Sequence, residues 1–124
     1  MEEKNKSYEF GEFAEEIIAN EYLKNGYAIL ERRFRLGKIE IDIIAQKEDV
    51  ITLIEVKARS GEDEDALSSV TRDKRKRMVR AADAYLKRLP GTLQYRFDIA
   101  TVTGNQKKYE IEIYEDAFVS ADLF

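Results

Sequence analysis

The segment Ile39–Arg59, IEIDIIAQKEDVITLIEVKAR, contains two short apolar runs with charges inserted at alternate positions. Ile39–Ala45 and Val50–Lys57 are both rich in β-branched residues, so each predicts a strand. Gln46–Asp49 is polar and short, which folds the pair into a hairpin. With Glu48 and Asp49 as a two-residue loop, Lys47 faces Val50. Counting down the ladder sets Asp42 opposite Glu55 and Glu40 opposite Lys57. Alternation then places Glu40, Asp42, Glu55 and Lys57 on one face, and Ile41, Ile43, Ile54 and Val56 on the other. Glu40 with Lys57 is an ordinary favourable cross-strand pair. Asp42 opposite Glu55 is not, because like charges directly opposed destabilise a sheet. A bound cation reverses that sign, and an oxygen-donor site with few protein ligands suits Mg²⁺ or Mn²⁺. The competing reading is a solvated or edge-protecting charged face.

Composition narrows the chemistry. The chain has 124 residues, enough for one domain (1–124) with a real core. It has no cysteine and no histidine. Disulfides, thiolate nucleophiles, Cys-based metal sites and imidazole acid–base catalysis are therefore excluded. Catalysis must come from carboxylates, Lys, Arg, Tyr, Ser/Thr or a hard cation. No apolar run approaches a membrane span, and the N-terminal MEEKNKSYEFGE lacks the apolar core of a secretory signal. A cytoplasmic location without membrane partners is the expectation. The formal net charge of −4 argues mildly against a general nucleic-acid binder, but distribution matters more than the total.

Working outward, Ser7 is a candidate cap for a helix running to about Asn25. Phe10, Ala14, Ile17, Ile18 and Tyr22 lie along its apolar stripe, and Gly26 supplies the stop. Glu12 points nearly opposite that stripe, whereas Glu15 sits at its border. Geometry thus favours Glu15 as the helix carboxylate that reaches the sheet, with Glu9 and Glu16 solvated. Tyr27–Arg35 predicts a first strand, antiparallel to the next. After the acidic loop SGEDED, Asp65 or Ser68 opens a second helix running to about Leu89. Its buried set includes Val70, Met78, Ala81, Ala82, Tyr85 and Leu89, and its basic face carries Arg72, Lys74, Arg75, Lys76, Arg77 and Arg80. Such a face suits phosphate backbones. Tyr95–Val102 predicts a strand pairing parallel to the Glu55 strand through a right-handed crossover. Lys108–Tyr114 predicts a final strand near the edge. The result is an α/β architecture, a central mixed five-stranded sheet flanked by helices.

These elements resemble the bacterial YraN-like family of the PD-(D/E)xK endonuclease-like superfamily, over roughly Gly11–Val102. The residues that carry the resemblance are Glu40-Ile41-Asp42, Ile54-Glu55-Val56-Lys57-Ala58-Arg59, the Lys74–Leu86 helix and Arg96-Phe97-Asp98. It implies a restriction-endonuclease-like three-layer fold. It also implies Asp42 and Glu55 as ligands of Mg²⁺ (or Mn²⁺), the Val56 carbonyl as a further ligand, and Lys57 as the residue that positions the attacking water. By the same resemblance the first-helix glutamate is Glu15 when the match is kept gap-free, or Glu12 with three extra residues in the helix, and Lys74 is the lysine of the basic helix. Glu40 is expected to hold Lys57, and Arg35, Arg59, Lys74 and Arg77 to contact phosphates. The chain departs from the family pattern at Ala14, Arg33, Phe34 and Ile39, where glycine, asparagine, tryptophan and glycine are usual. The implied function is a metal-dependent DNA endonuclease, with branched DNA and a homodimer suggested by resolvase-like relatives and no organic cofactor. The alternative is a non-catalytic nucleic-acid-binding accessory protein on the same fold.

Overall fold

The computed structural model describes residues 2–61 and 69–124. Helix α1 (Glu2–Lys24) precedes strands β1 (Ala28–Leu36), β2 (Ile39–Lys47) and β3 (Val50–Arg59). Helix α2 (Arg72–Leu86) follows, then β4 (Gln94–Gly104), β5 (Tyr109–Phe118) and a 3-10 turn at Ser120–Asp122. The strands form one five-stranded sheet in the order β1-β2-β3-β4-β5. Only β3 and β4 run parallel, and the other neighbours are antiparallel. α2 lies in the connection between that parallel pair, as a crossover requires. This is the restriction-endonuclease-like α/β fold expected from the sequence.

Each helix covers one face of the sheet. Ala14, Ile18, Ala19 and Tyr22 of α1 pack on Ile43, Ala45, Ile54, Ala100 and Val102. Met78, Val79, Ala81, Ala82 and Tyr85 of α2 pack on Ile44, Ile51, Leu53, Phe97 and Ile99, with Phe118 and Leu123 closing the same layer. β3 and β4 are thus covered on both sides, which explains their nearly unbroken apolar runs.

The helix ends follow local chemistry. α1 starts at Glu2 rather than after Ser7, because MEEKNK contains nothing that breaks a helix. It stops at Gly26, whose φ of 87° favours glycine, and Lys47 Nζ donates to the Asn25 carbonyl just beyond. Thr71 caps α2 by accepting from the Lys74 amide. The candidate starts Asp65 and Ser68 lie outside the described residues. α2 ends at Leu86, and Leu89 follows in the turn, partly buried.

Asp98 anchors the α1 layer from inside the sheet. It is fully buried. The Tyr22 hydroxyl donates to it at 2.6 Å, Arg96 donates twice at 2.9 and 2.8 Å, and the Asp116 amide donates at 3.0 Å. Burial and the facing carboxylate push the Tyr22 phenol well above its ordinary range. A buried carboxylate is tolerated because its lone pairs are occupied and a guanidinium balances its charge.

One strand departs from the expected alternation. Ile41 packs in the α2 layer while Ile43, two residues on, packs in the α1 layer. Regular strand geometry would keep both on one side. The reversal falls at Asp42. Beside it on β1, Arg33 adopts a left-handed φ of 52° between the paired positions Arg32↔Ile43 and Phe34↔Ile41.

Candidate active site

The hairpin register is the one expected at its tip, from Lys47↔Val50 to Ile43↔Ile54. Beyond Ile43 the two strands separate. Asp42 Oδ2 accepts the Val56 amide at 2.8 Å, so a side chain takes the place of a ladder partner. This fixes Asp42 at the mouth of the split, next to Glu55. Glu55 lies in the α2-facing row of β3 and is only 6% exposed. Burial first, then the Glu55 charge and a hydrogen bond within the pair, push Asp42 up to about 8, with Glu15 adding to the repulsion. The Val56 amide opposes this by favouring the charged form. The two carboxyls are therefore close enough for the Glu55 charge to disfavour ionisation of Asp42.

Around the pair the sequence-predicted residues divide. Lys74 Nζ reaches from the first turn of α2 to Glu55 Oε2 at 3.1 Å. That oxygen is buried and receives no aligned hydrogen bond. Glu15 approaches from α1, 17% exposed, and its Oε1 accepts from Arg33 Nε at 3.1 Å. Lys57 is half-buried on β3, beside Thr101 of β4, and makes no ion pair among the described residues. The expected Glu40–Lys57 pair does not form. Glu40 instead meets Arg35, its partner across β1 and β2, at 3.4 Å. The reason is the split at Asp42, which ends the ladder that would have carried Glu40 to Lys57. Among the proposed phosphate contacts, Arg35 and Arg77 are exposed and Arg59 is half-buried at the end of β3.

Much of the basic face of α2 has structural work. Arg72 donates to the Asp122 and Leu123 carbonyls, Arg75 to the Val70 carbonyl, and Lys76 lies over the Phe124 ring. Sequence reasoning also missed the role of Arg33. Its guanidinium forks between Glu15 and Glu12, with Nη2 3.2 Å from Glu12 Oε2, while Arg32 pairs with Glu16. The available signal was the spacing of Glu12, Glu15 and Glu16, which share one strip of α1, read against the Arg32-Arg33 dipeptide of the neighbouring strand.

Among the described residues no group of three or more Asp or Glu side chains converges into a ready-made metal cage. What the site offers is a half-buried Asp42 beside a buried Glu55 whose Oε2 faces the Lys74 ammonium and takes no aligned hydrogen bond. A cation arriving there would favour the ionised form of Asp42, and this donor set fits a hard divalent ion.

Residues 14–102 match the model of the uncharacterised protein family UPF0102. The chain belongs to this family. UPF0102 proteins similar to it include one from Phocaeicola vulgatus, 40% identical over 114 residues, covering 89% of this chain and 92% of that one. Another, from Clostridium perfringens (strain ATCC 13124), is 40% identical over 123 residues, with 95% and 98% covered. A third, from Flavobacterium psychrophilum, is 38% identical over 111 residues, with 89% and 93% covered. UPF0102 is the YraN-like family that the sequence motifs resemble, and membership is consistent with the PD-(D/E)xK-like superfamily. Among solved structures, Pyrococcus furiosus SfsA in complex with Ca²⁺ matches with a TM-score of 0.38 and 12% identity, over 89% of this chain and 63% of that one. That likeness is too slight to carry fold or function.

Proposed function

We propose that this UPF0102 protein is a metal-dependent nuclease that hydrolyses phosphodiester bonds in DNA. The observation that carries the reading is the Asp42–Glu55 pair. A half-buried Asp42 and a buried Glu55 are held together, against their mutual repulsion, at a strand split where the Val56 amide donates to Asp42. Asp42, Glu55 and the Val56 carbonyl would hold Mg²⁺ or Mn²⁺. Bound there, the ion supplies charge neutralisation and Lewis-acid polarisation of phosphate oxygens. Lys57 would orient the attacking water and stabilise developing negative charge. Lys74, now on Glu55, would turn toward the substrate once Glu55 has another cation to face. Arg35, Arg59 and Arg77 would hold backbone phosphates, contacts that position a duplex without reading its sequence. Branched DNA as the substrate, and a dimer presenting two sites to it, extend the same reading.

Titration calorimetry with Mn²⁺ tests the ligand set directly. The wild type should take up one ion per chain, and Asp42→Ala should take up none while remaining folded. Cleavage of branched, nicked and single-stranded DNA in Mg²⁺ then tests the activity. If the wild type folds and binds no ion at millimolar Mn²⁺, the nuclease reading fails.

A second reading has an observation of its own. The Lys74 ammonium already neutralises Glu55, so the carboxylate pair persists without an ion. This suits a non-catalytic nucleic-acid-binding protein. DNA binding that is unchanged by EDTA and by Asp42→Ala would select it.

A further inference from the structure

Arg33 stands out from the other basic residues in three respects. Its left-handed backbone is sparsely populated by residues other than glycine. That conformation breaks the alternation of β1. Arg32 and Arg33, consecutive residues, both turn to α1, where Arg32 meets Glu16 and Arg33 meets Glu12 and Glu15. Finally, the Arg33 side chain is 42% exposed although it engages two carboxylates. It lines a cleft of about 410 Å³ with Ser7, Glu12, Glu15, Arg35 and Glu40. Glu15 belongs both to this cleft and to the surroundings of Asp42.

Two demands therefore meet on one guanidinium. A forked guanidinium binds carboxylates and phosphate oxygens through the same donors. A backbone phosphate entering the cleft competes with Glu12 and Glu15 for Arg33. While Arg33 holds Glu15 Oε1, that carboxylate is drawn toward β1 and is partly neutralised. Released, it is a third carboxylate beside Asp42 and Glu55.

We infer that Arg33 is a phosphate-operated latch on Glu15. Without nucleic acid it keeps Glu15 out of the ligand set, and a bound phosphate diester frees Glu15 to join Asp42 and Glu55 around a divalent ion. Arg33 is a positioning residue here, acting through Glu15. The inference rests on the metal-site reading above and goes beyond it by coupling ion affinity to substrate.

The experiment is Mn²⁺ titration calorimetry on five proteins without DNA: wild type, Arg33→Gln, Glu15→Gln, the double variant Arg33→Gln/Glu15→Gln, and Arg32→Gln. Residues behind the ligands commonly change ion affinity by tenfold or more. Arg33→Gln should bind Mn²⁺ about tenfold tighter than wild type, because Glu15 is unlatched. The double variant should match Glu15→Gln, whatever ion affinity that single change leaves. Arg32→Gln removes the same charge from the neighbouring ion pair and should also stay within about twofold. An unchanged or weakened Arg33→Gln overturns the latch. So does a gain that survives in the double variant, or one that Arg32→Gln reproduces, since either means general electrostatics.

A second arm measures binding of a fluorescent 20-base-pair duplex with and without Ca²⁺ at fixed ionic strength. Linkage requires that if DNA raises ion affinity, the ion raises DNA affinity by the same factor. Wild type should gain about tenfold more from the ion than Arg33→Gln does. Equal gains overturn the phosphate-operated step. If no variant, wild type included, binds Mn²⁺, the metal-site reading itself fails along with the latch, and that outcome is distinct from all the others.

Discussion

Replacing Asp42 by Asn should make the protein more stable while removing its proposed function. An ordinary Asp carboxyl titrates near 4, whereas Asp42 is pushed up to about 8 by burial and by Glu55. Between those two values the folded protein holds a proton that the unfolded chain has released. Unfolding then releases that proton, so this group's contribution to stability falls as pH rises from about 4 to about 8. Four decades of proton affinity at about 1.4 kcal/mol each set a ceiling on the order of 5 kcal/mol. Asn keeps an oxygen for the Val56 amide and carries no charge, but it leaves Glu55 desolvated beside Lys74. A net gain of about 2–4 kcal/mol at pH 8.5 is expected, or roughly 10 °C in Tm for a domain of this size. The assay is thermal unfolding of both proteins from pH 4.5 to 9. The difference between them should be near zero at the acid end and grow steadily with pH. Adding 10 mM Mg²⁺ at pH 8 should raise wild-type stability by about 1–3 kcal/mol through ligand linkage and leave Asp42→Asn unmoved. A difference that stays flat across the range, or a variant less stable than wild type at pH 8.5, would refute the idea that this carboxylate is held against its own repulsion.

Other consequences can be measured on the same material. Asp98→Ala leaves Arg96 and the Tyr22 hydroxyl without their buried partner, and should lower urea-unfolding stability by about 3–5 kcal/mol. Tyr22→Phe removes only the hydrogen bond to that carboxylate, and about 1.5–3 kcal/mol is expected by the same measurement. Gly104→Ala would drive a Cβ into the Lys108 carbonyl oxygen at a φ of 129°, so a loss of about 1–3 kcal/mol should follow from strain at the β4–β5 turn. Arg77→Gln should weaken DNA binding about equally across sequences and reduce the salt dependence of log affinity by about one, as read by fluorescence anisotropy at several salt concentrations.

The layout was legible in the sequence because long-range features depend on patterns that single segments carry. Alternation in Ile39–Lys57 gave the hairpin and its register from Lys47↔Val50 to Ile43↔Ile54. A helix between the Glu55 strand and YRFDIATV requires a crossover, and β3 and β4 do pair in parallel. Asp42 and Glu55 come together as expected, but not as simple ladder partners.

What escaped the sequence lies within a few residues of that pair, and one physical cause accounts for it. Periodicity assumes that backbone donors are satisfied by the neighbouring strand. At Val56 the donor is satisfied by the Asp42 side chain, and the strands part. Once they part, Ile41 passes to the α2 layer, Glu40 turns to Arg35, and Lys57 loses its expected partner. On the other side of β2, Arg33 adopts a left-handed backbone and enters the α1 layer beside Arg32. No hydrophobic pattern announces either event, because each is a choice between two hydrogen-bonding partners for a polar group. The charged residues that an alternating pattern treats as interchangeable surface are therefore the ones whose positions it predicts worst, and they are also the ones the proposed chemistry needs. A strand that kept perfect alternation through Asp42 would have placed Glu40 against Lys57 as a closed ion pair. The split instead leaves Lys57 without an ion-pair partner among the described residues, and it is Lys74 of α2 that meets Glu55.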